Sequence, residues 1–494
     1  MKKKIFLMLF IFLAIGLAGC EAKNMDESGT TQQHFEGVKY TTVTRGYDWG
    51  PAIDKLILDF GTAIDENTLN NDVFEVKSIR TYAENSFMGS STKEKDHEAK
   101  RQITNVYLCD ARGDKTDDGE YVAIKMKVGP NVIEGSPYNY NFSNGFNENV
   151  KTTYVISLSE GAELKAQNGD VIVFDAAGEA EKAGDIKIGA DDFINNQPFS
   201  YNGVDLQYAY YVPENAIYDE GSMPLIIWLH GAGEGGHDTT IALLGNKVVN
   251  LASENIQSCF GDSGAYVLVP QAPTMWMDYD GTRRYNSGVK DSDGASYYTE
   301  SLMELIKNFV ESNTNIDKNR IYIGGCSNGG YMTVNMIINY PDYFAAAFPA
   351  CEAYSLSWLT DEKINAIKEV PIWFTHAMTD STVPIAEGSP SADYSTYNFK
   401  LDENGNPKLI DDFSNALYDR LVELGAANIH YSRFDKVIDT TGLYNKNDGT
   451  PYEYMGHWSW IYTLNNECIE NINGEDVTIF EWLSQISKGE ANDN

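Results

Sequence analysis

The first part of the chain is a series of short apolar runs separated by polar turns. Turns such as Gly113-Asp114 and Asp118-Gly119 divide these runs, and none of them shows a long helical periodicity. About seven short strands in about 150 residues are typical of a β-sandwich. We therefore predict an all-β domain over residues 37–194, with strands at Val38–Arg45, Leu56–Phe60, Val73–Thr81, Asn105–Cys109, Tyr121–Val128, Thr152–Ser157 and Val171–Phe174.

From Tyr208 onward the pattern changes to apolar strands separated by helices. Predicted helices include Ser301–Glu311 and Asp411–Leu424, and the first has apolar residues at helical spacing, which suits packing against a sheet. Such alternation is typical of a mostly parallel sheet wrapped by helices. A length of 494 residues also favours more than one domain. We assign residues 195–488 to an α/β domain and residues 489–494 to a polar tail.

Residues 1–20 form a predicted export signal. Three lysines at positions 2–4 precede an apolar core at Ile5–Ile15, an order typical of a secretory signal. The ending Leu17-Ala18-Gly19-Cys20 resembles a bacterial lipobox, which implies that Cys20 is lipid-modified and becomes the N-terminus. An ordinary signal peptide cut near Gly19 is the alternative. Residues 21–36 are polar and predict a flexible tether, so we expect an extracytoplasmic, membrane-anchored lipoprotein.

The charge balance excludes several classes of partner. The formal net charge is −35, from 72 acidic and 37 basic residues. A negative charge of this size repels nucleic acid and anionic lipid headgroups. We therefore predict no nucleic-acid partner, and contact with a membrane only through the lipid anchor. The five cysteines other than Cys20 are widely spaced and do not suggest a disulfide framework, although a single disulfide bond between two of them stays possible outside the cytoplasm. No C-x-x-C or H-E-x-x-H pattern occurs, so we predict no metal site.

Residues 320–330 carry the strongest chemical signal. Arg320–Ile323 predicts a short strand, Gly325-Cys326-Ser327-Asn328-Gly329 fits G-x-S-x-G, and a helical pattern follows. A strand, a sharp Gly-rich turn and a helix form a nucleophile elbow, in which the glycines avoid Cβ clashes between strand and helix. Ser327 is therefore the candidate nucleophile. Cys326, although a thiol is intrinsically more nucleophilic, is out of register and is interpreted as a buried packing residue.

A serine nucleophile needs a histidine base, and the chain has seven histidines. His457 lies after the last predicted strand and before a terminal helix, which is where an α/β-hydrolase carries its base. His376 and His430 lie at or within predicted strands, and the remaining candidates precede the elbow in the chain. We therefore predict that His457 is the base.

The third catalytic group is a carboxylate between the nucleophile and the base in the chain. Val370–Thr375 is a predicted strand, and Asp380 lies in the loop that follows it. From there Asp380 would accept the Nδ1 proton of His457 and fix the tautomer of the ring. The competing carboxylates are Asp361, Glu387 and Glu352, the last of which follows the preceding strand.

A second Gly-rich loop supplies candidate donors for the oxyanion of a tetrahedral intermediate. His230-Gly231-Ala232-Gly233-Glu234 follows the buried strand Pro224–Leu229, as expected of the H-G-x-G loop after the third strand. We predict an oxyanion hole from the N–H groups of Ala232 and Asn328, with Gly233 as a further candidate. His230 would then brace the loop. A phosphate-binding loop is disfavoured because no Lys-Ser/Thr pair follows the glycines.

With these parts in place, about residues 197–486 resemble bacterial α/β-hydrolase carboxylesterases of the feruloyl esterase and polyhydroxybutyrate-depolymerase-like group. Ala377 stands where that group often carries Gly after the histidine of the acid loop. The whole architecture is similar to a smaller set of such esterases with an N-terminal immunoglobulin-like domain. The resemblance implies ester hydrolysis through an acyl-enzyme, without a cofactor. The matching motifs are His230-Gly231-Ala232-Gly233-Glu234, Val269-Pro270-Gln271-Ala272-Pro273, Gly325-Cys326-Ser327-Asn328-Gly329, His376 with Asp380-Ser381-Thr382-Val383-Pro384, and His457-Trp458-Ser459-Trp460.

The expected activity is that of a serine esterase for short-chain or aromatic acyl groups, on small esters or acylated oligosaccharides from plant polysaccharides. Trp276 and Trp458 are the predicted substrate-binding residues, because aromatic rings near the site can stack on sugars or phenolic acyl groups. Tyr138, Tyr140 and Phe142 alternate along the first domain and offer a second stacking face, although sandwich packing explains them better.

Two other functions stay open at this stage. A serine peptidase of the prolyl-oligopeptidase type uses the same order of catalytic residues, but about 150 residues of sandwich cannot supply the β-propeller that usually precedes it. A non-catalytic, glycan-binding surface lipoprotein is disfavoured because all three triad positions are filled.

Overall fold

The computed structural model describes residues 23–25, 31–34, 38–86, 89–173, 180–385, 399–401, 407–409 and 412–489. The predicted export signal with Cys20, most of the tether and the competing carboxylate Glu387 lie outside the described residues. No helix within the described ranges is long and apolar enough to cross a membrane. All five cysteines in these ranges are free thiols.

The N-terminal domain is a β-sandwich. A five-stranded sheet (order β14-β3-β4-β8-β7) and a three-stranded sheet (order β11-β5-β6) enclose a core of inward-facing aliphatic and aromatic residues. Two smaller sheets, β1-β2-β13-β12 and the hairpin β9-β10, complete it. The strands are β1 Lys23–Met25, β2 Thr31–His34, β3 Lys39–Tyr47, β4 Gly50–Asp59, β5 Phe74–Ser86, β6 Gly89–Arg101, β7 Ile103–Cys109, β8 Tyr121–Met126, β9 Tyr138–Asn141, β10 Phe146–Asn149, β11 Lys151–Leu158, β12 Leu164–Lys165, β13 Val171–Val173 and β14 Glu181–Ile188.

One strand of this sandwich has no apolar alternation. Strand β6 pairs with β5 at the edge of the three-stranded sheet and carries a run of exposed charged residues between Lys93 and Lys100. Charged side chains on an edge strand discourage pairing with another chain. The apolar pattern therefore cannot reveal such a strand, and the sequence prediction did not include it.

The second domain is built on an eight-stranded sheet with the order β15-β16-β18-β17-β19-β20-β21-β24. Strands β15 and β16 are antiparallel to their neighbours, and the strands from β18 onward are all parallel. The strands are β15 Ile194–Tyr201, β16 Val204–Tyr211, β17 Met223–Leu229, β18 Tyr266–Gln271, β19 Ile316–Cys326, β20 Ala346–Ala350, β21 Ile372–Ala377 and β24 Ile429–Phe434, with hairpins β22 Phe399–Leu401 to β23 Pro407–Leu409 and β25 Ile469–Ile472 to β26 Glu475–Thr478.

Helices cover both faces of this sheet. Alternate strand residues point to opposite faces, so that Ile227 packs in one core cluster and Trp228 in the other. Helices α3 to α6 contribute to the first cluster, and α1, α7 and α8 contribute to the second. The helices are α1 Thr239–Leu244, α2 Glu254–Gln257, α3 Thr299–Ser312, α4 Asn328–Asn339, α5 Asp361–Ile367, α6 Phe413–Glu423, α7 Trp460–Leu464 and α8 Ile479–Ser484.

The predicted fold class is confirmed. The sheet is buried on both faces, as a mostly parallel sheet requires, and the first domain is an all-β sandwich. Because parallel strands all end at one edge, the loops after β17, β19 and β21 meet there. These are the loops that carry most of the candidate catalytic residues.

Candidate active site

Ser327 forms a sharp turn between a strand and a helix. Strand β19 ends at Cys326 and helix α4 begins at Asn328, so Ser327 is the only residue between them. Its backbone has φ 55° and ψ −115°, and its N–H donates a hydrogen bond of 2.9 Å to the carbonyl of Ala350. A positive φ is strained in a residue other than glycine and persists only where the surroundings impose it. This is the geometry expected of a nucleophile elbow.

Two glycines allow this turn, as the sequence predicted. A Cβ atom on Gly325 would lie 2.6 Å from the carbonyl oxygen of Leu229 and 2.7 Å from that of Gly329. A Cβ atom on Gly329 would lie only 1.9 Å from the oxygen of Leu229. Strand β17, strand β19 and the start of α4 therefore approach too closely for any side chain at these two positions.

The structure brings Ser327, His457 and Asp380 into one hydrogen-bonded chain. The Oγ atom of Ser327 lies 2.9 Å from Nε2 of His457, and Nδ1 of the same ring lies 2.8 Å from Oδ2 of Asp380. Asp380 is completely buried, His457 is buried, and Ser327 is partly exposed. A nucleophile, a base and a group that orients the base are thus in reach of one another, with solvent access only at the serine end.

Asp380 is held as a charged group despite its burial. Its Oδ1 atom accepts backbone N–H bonds from Thr382 (2.7 Å) and Val383 (2.8 Å), and its Oδ2 atom also accepts a bond of 3.0 Å from Nε2 of His376. Burial alone would raise the pKa of Asp380, but His457 and His376 outweigh it and hold the pKa well below its usual value. The carboxylate is therefore ionised wherever the protein is folded at ordinary pH.

His376 is a further residue of the candidate site, and the sequence did not define its role. Its Nε2 atom lies 2.9 Å from the carbonyl of Val383, and a carbonyl only accepts, so Nε2 carries the proton. The hydroxyl of Ser414 lies 2.8 Å from its Nδ1 atom. This ring therefore helps to fix the orientation of Asp380, through the same Oδ2 atom that bonds to His457. Only its place in the acid-loop motif could have indicated it.

The competing residues have other partners. Glu352 is buried, and its Oε2 atom accepts the backbone N–H of Tyr354 at 2.6 Å. Asp361 is paired with Arg420 at the surface. Cys326 is completely buried, which raises the pKa of its thiol well above the usual value and removes it as a nucleophile. Among the candidate carboxylates that the structure describes, Asp380 is the one that bonds to His457.

Cys351, Asp380 and His457 form the one cluster of potential metal ligands within the described ranges, with ligand atoms less than 4.8 Å apart. Both nitrogens of His457 already take part in hydrogen bonds to Asp380 and Ser327. Burial also raises the pKa of Cys351 well above its usual value, so its sulfur is protonated and a poor ligand. The arrangement suits a proton relay better than a metal site.

The loop after β17 lies against the elbow. Strands β17 and β19 are paired, with Leu229 opposite Gly325, and a Cβ atom on Gly329 would lie 2.7 Å from the carbonyl oxygen of His230. Ala232 begins a short 3-10 turn, Ala232–Glu234, and Asn328 begins α4. The N–H groups at the start of a helical segment have no carbonyl partner within it. The predicted donors Ala232 and Asn328, with Gly233 in the same turn, therefore sit on adjoining segments.

His230 braces this loop. Its Nε2 atom accepts the backbone N–H of Ala272 at 3.1 Å, so Nδ1 carries the proton and donates to the carbonyl of Gly231 at 2.6 Å. Burial lowers the pKa of His230 to about 4, which keeps the ring neutral and stabilises this tautomer. A neutral ring with both nitrogens occupied is a structural support and not a second base.

The two predicted substrate-binding tryptophans differ. Trp276 is completely buried and packs against the rings of His230 (5.0 Å between centroids) and Tyr298 (5.9 Å), so the expected position at the mouth of the site is wrong. Its large ring fills the core beneath the loop instead. Trp458 is partly exposed and directly follows His457, and its role stays a prediction.

Comparisons with known proteins agree with this architecture. Residues 39–173 match the family model of the esterase Ig-like N-terminal domain, and residues 218–410 match that of phospholipases and carboxylesterases. The crystal structure of a thermostable esterase superposes with a TM-score of 0.66 at 23% identity, over 91% of this chain and 100% of that chain. At that identity the likeness shows a common fold.

Two further solved structures match about half of the chain more loosely. A ferulic acid esterase has a TM-score of 0.34 at 11% identity, over 49% of this chain and 90% of its own. An acetyl xylan esterase from Paenibacillus sp. R4 has a TM-score of 0.31 at 15% identity, over 48% of this chain and 75% of its own. At these TM-scores neither likeness bears on the substrate. No curated protein matches the chain closely enough to add to these findings.

The fold defines the chain as an α/β-hydrolase preceded by an immunoglobulin-like domain. Its first domain matches the esterase Ig-like model and its second domain the phospholipase/carboxylesterase model, and the chain is a carboxylic ester hydrolase. The resemblance drawn from the sequence motifs is thereby confirmed.

Proposed function

We propose that this hydrolase is a serine esterase in which Ser327 is the nucleophile, His457 the general base and Asp380 the group that orients and stabilises the base. The observation that carries the proposal is the continuous hydrogen-bonded chain from Ser327 through His457 to Asp380, at a strained elbow. A serine hydroxyl is weak on its own and becomes reactive when an adjacent base takes its proton.

In the first half of the reaction, Nε2 of His457 accepts the proton of the Ser327 hydroxyl while Oγ attacks the ester carbonyl carbon. The carbonyl oxygen becomes an oxyanion, and Asp380 stabilises the imidazolium that forms. The C–O bond to the alcohol then breaks, and the leaving alkoxide takes the proton from Nε2. An acyl-enzyme on Ser327 and a free alcohol result.

In the second half, a water molecule gives its proton to His457 and attacks the acyl-enzyme carbonyl. The bond to Oγ breaks, Ser327 recovers its proton from His457, and the carboxylic acid leaves. In both halves we assign stabilisation of the oxyanion to the backbone N–H groups of Ala232 and Asn328, with Gly233 as a third donor. Such preorganised donors lower the barrier by several kcal/mol in related chemistry, about 3 to 4 for one donor.

For the substrate, we propose esters of short or aromatic acyl groups, carried on plant-polysaccharide fragments. Trp458 beside the base is partly exposed, and Tyr140, Phe142 and Tyr285 are each about two-fifths exposed (41%, 39% and 42%). Aromatic rings of this kind stack on sugar rings and on phenolic acids. Tyr140 contacts the position that a side chain on Gly233 would occupy, 3.6 Å away, which puts it beside the proposed oxyanion loop.

For the location, we propose an extracytoplasmic lipoprotein held by a lipid on Cys20. The support is the basic, apolar and lipobox-like order of residues 1–20. On expression in a bacterial host, Cys20→Ser should lose incorporation of labelled palmitate and move from the membrane fraction to the soluble fraction. A variant that stays lipidated and membrane-bound would contradict this part of the proposal.

One set of assays tests the activity. The full-length protein should hydrolyse p-nitrophenyl acetate and butyrate, and release acetate or ferulate from acylated oligosaccharides, with little activity on a long-chain triglyceride. Turnover of a peptidyl p-nitroanilide instead of the esters would favour a peptidase. Activity on p-nitrophenyl esters with no release from any oligosaccharide would remove the polysaccharide part and leave a generic carboxylesterase.

A further inference from the structure

A hairpin of the N-terminal domain lies directly on the proposed oxyanion loop. The hairpin β9-β10 presents Asn147, whose Nδ2 atom donates a hydrogen bond of 3.1 Å to Oε1 of Glu234 in that loop. The same Nδ2 atom is 3.2 Å from the position of a Cβ on Gly233, and a Cβ on Gly235 would lie 3.0 Å from Cε1 of Phe146. The loop is thus enclosed by a segment from the other domain.

Glu234 is the residue that receives this contact, and it is buried beneath the loop. Its second oxygen, Oε2, accepts a hydrogen bond of 3.1 Å from Nδ2 of Asn246. The same amide of Asn246 lies 3.5 Å from Sγ of Cys326, at the end of strand β19. A Cβ atom on Gly231 would lie 2.8 Å from Oε2 of Glu234, so the carboxyl packs directly against the loop backbone.

Each of the two oxygens of Glu234 therefore has its own amide donor. Asn147 comes from the N-terminal domain and Asn246 from the segment that follows helix α1. A buried carboxyl that lost one of these donors would leave an unsatisfied acceptor, which is costly in a dry environment. The side chain can keep both bonds only while the loop stays in its present position.

We propose that Asn147 and Glu234 are positioning residues that hold the oxyanion loop, so that the N-terminal domain completes the active site through the hydrogen bond between them. This inference rests on the serine esterase mechanism proposed above. Neither residue is assigned contact with the substrate. Each acts through the backbone of the loop, in which Ala232 and Gly233 are the proposed oxyanion donors.

This role predicts a specific kinetic pattern. Oxyanion donors act mainly on the transition state, so their misplacement lowers kcat more than it changes KM. The loss of a whole donor costs about 10² to 10³ in kcat, and a small displacement costs part of that. A residue that only stabilised the domain interface would instead change the midpoint of thermal unfolding and leave the kcat of the folded protein unaltered.

The test uses full-length Asn147→Ala, Asn147→Asp and Glu234→Gln. We expect kcat for p-nitrophenyl acetate to fall about tenfold in Asn147→Ala, with KM within about twofold of the wild type. Asn147→Asp should be worse, because it brings a carboxylate against a carboxyl. In Glu234→Gln, kcat should fall about 10- to 100-fold, because the amide NH₂ of the new side chain would face one of the two donor groups. The double variant with Asn147→Ala should lose less than the product of the single effects.

Asn149→Ala is the matched control. Asn149 lies on the same strand β10, and its Nδ2 atom donates a bond of 2.9 Å to Asp238 of the second domain, so this variant also removes one hydrogen bond between the domains. Its kcat should match the wild type. If Asn147→Ala and Glu234→Gln also keep wild-type kcat, or if Asn149→Ala loses as much as they do, the positioning role is wrong.

The parent mechanism is tested separately with Ser327→Ala. If Ser327→Ala is inactive while Asn147→Ala and Glu234→Gln are fully active, the esterase mechanism stands and the positioning role falls. If Ser327→Ala keeps its activity, the mechanism itself falls, whatever the two loop variants do.

Discussion

The nucleophile elbow and the loop opposite it are both Gly-rich turns after neighbouring parallel strands, yet different contacts hold them. The elbow is fixed by its own domain: the backbone of Ser327 bonds to Ala350, and Gly325 and Gly329 press against Leu229. The loop is fixed by side chains, and one of these, Asn147, comes from the other domain. Backbone packing holds the candidate nucleophile, whereas we propose that side-chain hydrogen bonds, one of them from the other domain, position the oxyanion donors.

This difference has consequences for how each part tolerates change. A backbone packed against backbone has no room to adjust, so a single added atom disrupts it. A side-chain hydrogen bond can lengthen or be replaced by water, so its loss is graded. We therefore expect changes at the elbow to be nearly all-or-none and changes at the loop to be partial.

The largest effect is expected at the nucleophile. Ser327→Ala should lower kcat for p-nitrophenyl acetate by about 10⁵- to 10⁶-fold, because the base then has nothing to activate. Circular dichroism should show an unaltered fold. Cys326→Ser, the neighbouring control, should keep much of the activity because the buried thiol only packs behind the elbow. High activity in Ser327→Ala, or a loss of activity in Cys326→Ser alone, would contradict the assignment of Ser327 as the nucleophile.

The next effect concerns the acid. Asp380→Asn should keep the fold but lower kcat about 10⁴-fold, because an amide cannot stabilise the imidazolium and favours the wrong tautomer of His457. Glu352→Gln should remain near the wild type, since Glu352 bonds to the backbone of Tyr354. The reverse result, with activity lost only in Glu352→Gln, would put the acid one strand earlier.

The elbow should also be sensitive to one added methyl group. In Gly329→Ala, the new Cβ would lie 1.9 Å from the carbonyl oxygen of Leu229. The gain in helix propensity, about 1 kcal/mol, is too small to offset this clash, and we expect a loss of about 4 kcal/mol or more in the free energy of unfolding. Gly288→Ala, where nothing lies within 4 Å of the new atom, should change it by less than about 0.5 kcal/mol. Equal stabilities in urea titrations would contradict this picture.

The smallest effect is a pH dependence at the loop. Burial raises the pKa of Glu234 from 4.5 to about 7, although Asn246, Asn147 and the backbone of Gly231 favour its ionised form. A carboxyl whose pKa is raised in the folded state contributes its full stabilisation below the pKa that it has in the unfolded chain. That contribution is lost as the pH rises through 7. Relative to Glu234→Gln, the wild type should lose about 3 kcal/mol of unfolding free energy between pH 4.5 and pH 8. A constant difference across that range would show that this carboxyl does not titrate as inferred.

The elbow could be predicted because its signals are local. Strand, G-x-S-x-G and helix follow one another within about twenty residues, and chain order then selected His457 and Asp380. Their hydrogen bonds span 130 and 77 residues, but the fold class fixes which loops meet. Once the domain is recognised as an α/β-hydrolase, the position along the chain carries enough information.

Other features depend on contacts that no local pattern encodes. Trp276 lies on the expected loop, but its ring points into the core, and loop position does not fix the direction of a side chain. Tyr138 was attributed to packing within the sandwich, yet its hydroxyl lies 3.3 Å from the carbonyl of Thr240 in the other domain. The bond between Asn147 and Glu234 joins residues 87 apart in different domains, and neither lies in a motif that predicts the other.

The most direct test is to identify the residue that becomes covalently modified. The full-length protein would be treated with a fluorophosphonate that mimics the tetrahedral intermediate, digested, and mapped by tandem mass spectrometry. We predict one adduct, on Ser327, that is absent in Ser327→Ala and slowed in Asp380→Asn. An adduct on Cys326 or on any other residue in place of Ser327 would contradict the proposed mechanism. So would full ester hydrolysis by protein whose label lies on another residue.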